Sequence, residues 1–208
     1  MELIKKQKGY RTFLVGKPQT GKTSIALADA ISLSEKEDVL FIEIEMWSRM
    51  AWKRLVNYHG YSLDNPSSIN IFTPNWENMT IESIIDLIRI SGASYVYIDY
   101  LGLIGEKAKP DNRLEEIKLI IDKLCKLTTD KNISIILLSM AARGPRKEEP
   151  INLEAAVNSS KKLFVDNANV IQMFTQRKDW GNHKIDVILY SNNEGFINYS
   201  SYILDKSL

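Results

Sequence analysis

Eight residues, Gly16-Lys17-Pro18-Gln19-Thr20-Gly21-Lys22-Thr23, restrict the fold of this chain more than anything else in it. They stand between Thr12 to Val15, a short β-rich apolar run, and Lys22 to Ser32, where apolar residues recur at the three- and four-residue spacing of an amphipathic helix. A strand must therefore pass into a helix through a loop with a glycine at each end. Small residues there let the backbone wrap closely and aim its N–H groups at one point, where the N-terminal end of the helix adds favourable dipole charge for an anion.

The same alternation continues along the chain. Val39 to Ile44, Ile69 to Phe72, Tyr95 to Ile98 and Ile133 to Leu138 read as strands, and Ser48 to Tyr58, Ile81 to Ile90 and Leu114 to Thr128 as amphipathic helices. Strands that alternate with helices and are apolar throughout predict an α/β domain, with a mainly parallel central sheet covered by helices on both faces. Past Ser139 the texture changes. Residues 142–150 hold glycine, prolines and charges without a period and read as a mobile loop. Val170 to Thr175 comes next as a strand, then Lys184 to Tyr190 and Phe196 to Leu204 as a C-terminal β-hairpin at the sheet edge.

With 208 residues against a guide of roughly 150 per domain, and no repeat or linker, one domain over 1–208 is expected. A hydrophobic share of 44% and a charged share of 25% exclude disordered and fibrous classes. The net charge of +1 supplies no global field, so contact with nucleic acid has to use local patches. Cys125, the single cysteine, cannot form an intrachain disulfide and fits a reducing compartment. No apolar run approaches the roughly 20 residues of a membrane span. The basic start, Met1 to Arg11, lacks the apolar segment of an export signal, because Gly16 and Lys17 cut short the run Phe13 to Val15. A cytoplasmic protein without a membrane partner is expected.

The loop matches the G-x-x-x-x-G-K-[ST] phosphate-binding pattern at every fixed position, in the strand-to-helix context it requires. It assigns nucleotide binding to Gly16, Lys17, Pro18, Gln19, Thr20, Gly21, Lys22, Thr23 and Ser24. Lys22 is to reach the β- and γ-phosphates, and its head group is expected to stand in solvent until they arrive. Thr23 is to hold Mg²⁺ together with Asp99, the carboxylate that ends the strand Tyr95 to Ile98. ATP and Mg²⁺ are thus the expected cofactors. Pleat alternation puts Glu43 and Glu45 on one side of their strand, so that either is a candidate to orient or deprotonate an attacking water.

Three stretches together, Gly16 to Thr23, Ile42-Glu43-Ile44-Glu45-Met46 and Ile98-Asp99-Tyr100-Leu101-Gly102-Leu103-Ile104, resemble the RecA-fold motor domain of DnaB-type replicative helicases. The resemblance spans roughly residues 10–200, and Asp99-Tyr100-Leu101 is its most specific element. It implies a RecA-like P-loop NTPase with Glu45 as the base that activates water and Lys22 as its catalytic cation. It also implies single-stranded DNA or a replication protein as partner, and leaves a homo-oligomer open. Loops after the corresponding strands hold DNA in that superfamily, which makes Lys107, Lys109, Arg113, Arg143, Arg146 and Lys147, with Lys161 and Lys162, candidate phosphate contacts. Glu106, Asp111, Glu148, Glu149 and Glu154 dilute these patches, so a solvated loop is the competing reading. Arg143 matches an Arg of the family most directly.

Departures are equally specific. The family ends the next strand in Ser-Gln, where this chain has Ser139-Met140, and a thioether cannot sense phosphate charge by hydrogen bonding. A Lys-x-Arg pair that reaches a neighbouring subunit's ATP is replaced by Ser191-Asn192-Asn193, and with the loop starting at residue 16 the family's separate N-terminal domain is expected to be absent. Slow hydrolysis coupled to DNA or a replication protein is therefore the first expectation. An ATP-dependent switch or loader with little hydrolysis is the second. A small-molecule P-loop kinase ranks third, since no Arg-rich lid is visible. His59 and His183 have no zinc-ligand spacing, Trp47 and Trp52 with Met46 and Met50 read as a packing cluster, and Arg177 reads as a strand-end arginine.

Overall fold

A computed structural model describes residues 4, 7–16, 21–44, 69–72, 79–105, 112–140, 170–179, 182–191 and 195–204. Their elements run β1 (Arg11–Gly16), α1 (Lys22–Ser34), β2 (Val39–Glu43), β3 (Ile69–Phe72), α2 (Ile81–Ser91), β4 (Tyr95–Asp99), a 3₁₀ turn (Leu101–Leu103), α3 (Arg113–Lys131), β5 (Ser134–Met140), β6 (Val170–Asp179), β7 (Asn182–Ser191) and β8 (Gly195–Leu204). The helix expected over Ser48 to Tyr58, the loop 142–150 and all four tryptophans lie outside the described residues.

The strands form one eight-stranded sheet in the order β3-β2-β4-β5-β1-β6-β7-β8. Every pair from β3 to β6 is parallel, and β7 and β8 add an antiparallel edge. Pleat alternation divides the apolar side chains between two cores. Leu40, Ile42, Val96, Ile98, Ile135 and Leu137 pack with Ile81, Ile84 and Ile88 of α2 and Ile120, Ile121 and Leu124 of α3. Val39, Phe41, Tyr97, Ile136 and Leu138 pack with Ile25, Ala26, Leu27 and Ala30 of α1. With helices over both faces the parallel strands carry few polar side chains, which is why they read as unbroken apolar runs.

Helix ends obey local chemistry. Thr80 and Ser83 cap α2 reciprocally, each side chain bonding the other's backbone N–H, and Gly92 ends the helix at φ 67°. The Asn112 side chain accepts from the Glu115 N–H at 2.9 Å to start α3, and Asn132, left-handed at φ 51°, ends it. The C-terminal region differs from the expectation in extent. β6 and β7 continue to Asp179 and from Asn182, so three strands form a meander, and Arg177 lies inside β6 opposite Lys184. Residues 176–179 and 182–183 are polar and carry no apolar signal, yet backbone pairing along an antiparallel ribbon needs none.

Candidate nucleotide-binding site

The described part of the site lies at the C-terminal ends of the parallel strands, where open α/β sheets bind ligands. β1 ends at Gly16, in register with Met140 of β5 and Phe174 of β6. Gly21 precedes α1 at φ 84°, a left-handed conformation that strains a residue with a Cβ, and its carbonyl accepts from the Ile25 N–H at 2.9 Å. Gly16 and Gly21 therefore stand at a strand end and a helix start, as the motif requires. Lys17, Pro18, Gln19 and Thr20 lie outside the described residues, and Ser24 is exposed on α1.

Lys22 corrects the sequence expectation. Its head group is not solvated: the residue is 8% exposed, and Nζ donates to the Gly16 carbonyl at 2.9 Å. The loop's own backbone thus gives the ammonium a partner, as a buried cation requires.

One residue further, the Thr23 hydroxyl donates to Asp99 Oδ2 at 2.6 Å, joining α1 to the end of β4 across 76 positions of sequence. Asp99 is 2% exposed, its carbonyl accepts from the Ile44 N–H at 2.6 Å, and the peptide to Tyr100 is cis. These are hard oxygen donors of the kind Mg²⁺ takes. Among the described residues no three His, Cys, Asp or Glu side chains converge. Among the described residues, the Asp99 carboxylate and the Thr23 hydroxyl are the pair brought into contact here, a sparse set compatible with an ion that keeps water and phosphate oxygens among its ligands.

Glu43 ends β2 opposite Asp99 in the ladder, 1% exposed, and pleat alternation puts it on the α1 face with Asp99. Of the two glutamates weighed from the sequence, Glu43 is buried and Glu45 lies outside the described residues. A feature the sequence did not signal lies below the site: the Tyr97 hydroxyl donates to Asp29 Oδ2 at 2.5 Å, both groups buried, fixing α1 to β4. Polar residues at core-facing positions of both elements were the only clue.

Among the other candidates, Arg113 opens α3, with one guanidinium nitrogen on the Glu116 carboxylate and the other donating to the carbonyls of Gly102 at 2.7 Å and Ile104 at 2.9 Å. Lys107, Lys109, Arg143, Arg146, Lys147, Lys161 and Lys162 lie outside the described residues. Ser139 is buried in β5 and Met140 ends that strand, while Ser191 ends β7 and Asn192 and Asn193 lie outside the described residues. Cys125 of α3 is half-buried, and burial pushes its thiol pKa up against the opposing pull of the Arg11 guanidinium. Among the described residues no helix is long and apolar enough to cross a membrane.

No described protein family's sequence profile matches the chain. It is similar to a probable plasmid replicative DNA helicase of Chlamydia psittaci, 25% identical over 223 aligned positions that cover 91% of this chain and 48% of that protein. The chain thus spans about half the length of the curated relative it matches. Among solved structures, a DnaB-like replicative helicase, whose structure was reported with its interactions with primase, superposes with a TM-score of 0.81 at 21% identity, covering 96% of this chain and 57% of that one. A solved ATPase domain gives 0.80 at 21% identity, covering 97% and 84%. A KaiC-like protein of the hyperthermophilic archaeon Pyrococcus horikoshii gives 0.70 at 18% identity, covering 95% and 86%. The fold is that of RecA-like P-loop ATPase domains, and it resembles the ATPase domains of DnaB-like replicative helicases.

Proposed function

We propose that this domain binds Mg²⁺-ATP, hydrolyses it slowly, and couples that cycle to single-stranded DNA or a replication protein. The observation that carries the reading is the Thr23–Asp99 contact directly behind a complete phosphate-binding motif. Two residues of unrelated sequence position meet where the motif's chemistry needs a hydroxyl and a carboxylate. The likeness to a probable plasmid replicative helicase and to solved ATPase domains supports the coarse assignment.

In this reading Lys22 leaves the Gly16 carbonyl for the β- and γ-phosphates, and the N-terminal end of α1 faces the same anion. Thr23 and Asp99 hold Mg²⁺. Held by these two residues, Mg²⁺ would supply positive charge to the triphosphate. Glu45, two residues beyond the end of β2, accepts a proton from the attacking water as general base. Hydrolysis is slow because Met140 cannot report on the γ-phosphate and neither Ser191 nor Asn193 can supply the charge of an arginine finger, worth roughly 10³- to 10⁵-fold in turnover. Those same residues favour the second reading, an ATP-dependent switch or loader that changes partners without efficient turnover. DNA contact falls to Arg143 first, then to Lys107, Lys109, Arg146 and Lys147.

Titration of a fluorescent ATP analogue with and without Mg²⁺ tests the nucleotide assignment. Binding should tighten with Mg²⁺, and Thr23→Val should lose that gain while keeping Mg²⁺-free binding. No binding under either condition would overturn the reading.

A further inference from the structure

The turn after Asp99 is tied into the fold by hydrogen bonds on the side away from α1. Within it, the Leu103 N–H donates to the Tyr100 carbonyl and the Ile104 N–H to the Leu101 carbonyl, both at 3.2 Å. At its far end Gly105 pairs with Thr80 as an isolated parallel bridge: its N–H donates to the Met79 carbonyl at 3.0 Å and its carbonyl accepts from the Ile81 N–H at 2.9 Å. The middle is closely packed, since a Cβ on Gly102 would collide with the Tyr100 ring.

Across this turn stands Arg113. One nitrogen, Nη2, reaches the carbonyls of Gly102 and Ile104, the third and fifth residues after Asp99, while Nη1 engages the Glu116 carboxylate. Both Nη2 hydrogens are therefore committed to the turn, and Glu116, one helical turn along α3, fixes the plane of the fork. α3 itself is anchored in the core through Ile120, Ile121 and Leu124. A guanidinium so engaged serves the turn at the cost of reaching DNA.

We propose that Arg113 is a positioning residue for Asp99: it ties the turn behind β4 to α3, so that the carboxylate keeps its place against Thr23. The inference rests on the reading of Thr23 and Asp99 as the Mg²⁺ pair. Outer partners that orient a metal ligand typically account for roughly 10- to 100-fold in metal affinity.

The test measures affinity for a fluorescent ATP analogue, with Mg²⁺ and with excess chelator, for wild type, Arg113→Ala, Arg113→Lys and Glu116→Gln. Mg²⁺-free affinity should match wild type in all three variants, because Lys22 and the loop N–H groups act without Asp99. The gain on adding Mg²⁺ should fall about ten-fold in Arg113→Ala. It should recover in part in Arg113→Lys, which keeps the charge without the planar fork, and fall by less in Glu116→Gln. A loss confined to the Mg²⁺-dependent part is not what general destabilisation produces. If Arg113→Ala loses Mg²⁺-free binding, and with it the fold, the other two variants decide: a wild-type gain in both overturns the inference. A wild-type gain in Arg113→Ala, with a shallower salt dependence of single-stranded DNA binding, also overturns it and returns the guanidinium to the DNA face. Absence of any Mg²⁺ gain in the wild-type protein would instead remove the proposed function itself.

Discussion

Lys22→Met separates what the ammonium does for the fold from what it does for phosphate. In the free protein the substitution forfeits one charge-assisted bond, Nζ to the Gly16 carbonyl at 2.9 Å, worth about 1.5–3 kcal/mol. It also removes a buried cation whose desolvation opposes folding, and methionine fills much of the same space. The two effects offset to about 1 kcal/mol or less, which for a domain of this size moves Tm by roughly 2–4 °C. With nucleotide bound, two charge-assisted phosphate contacts are lost, about 3–6 kcal/mol gross. The wild-type lysine must break its Gly16 bond to make them, and subtracting that leaves about 1.5–3 kcal/mol, or roughly 10- to 150-fold in Kd. Thermal denaturation followed by circular dichroism reads the first quantity, and titration calorimetry with an ATP analogue reads the second. An unchanged Kd would refute the phosphate role. A fall in Tm beyond roughly 10 °C would show that the ammonium holds the loop together rather than waiting for a ligand.

Three further outcomes are expected. Tyr97→Phe keeps the ring stacked on Phe41, 5.6 Å between centroids, and deletes only the hydroxyl that reaches Asp29. Urea denaturation should show a loss of about 1–3 kcal/mol, and an unchanged midpoint would contradict the buried pairing. Burial raises the Cys125 thiol pKa, so less thiolate is present near neutral pH than in a free thiol, and alkylation should be slow there and accelerate only in more alkaline buffer. A rate equal to that of free cysteine would contradict it. Single-stranded DNA binding, if carried by the basic segments, should weaken with salt at a log–log slope near −0.7 per phosphate contact, and Arg143→Ala should make the slope shallower. No binding at low salt would leave a protein partner in place of DNA.

The architecture was legible because a sheet covered on both faces writes itself as apolar runs. β3 has the bounds the pattern predicts, and β1, β2, β4 and β5 lie within two residues of them. The motif's place between a strand and a helix was legible because the pattern is local: Gly16, Gly21, Lys22 and Thr23 sit within eight positions. Partners distant in sequence were less so. Asp99 was found because a strand-end acid has a known use beside such a loop, but nothing in the sequence joined Asp29 to Tyr97, 68 positions apart. Lys22 misled for a related reason. Its residue type and place in the motif point to a phosphate partner, while the carbonyl that holds it in the free protein is set by how the backbone folds. Arg113 looked like one more cation near a basic segment, and only the carbonyls of Gly102 and Ile104 give it a different role.

Steady-state release of phosphate from ATP tests the central claim most directly, measured with Mg²⁺ for the wild type and for Glu45→Gln. The account predicts slow, Mg²⁺-dependent turnover in the wild type. In Glu45→Gln it predicts a further fall of roughly 10²- to 10⁴-fold, as removal of a general base brings, with ATP affinity retained. Turnover that is indifferent to Mg²⁺, or equal in the two proteins, would contradict it.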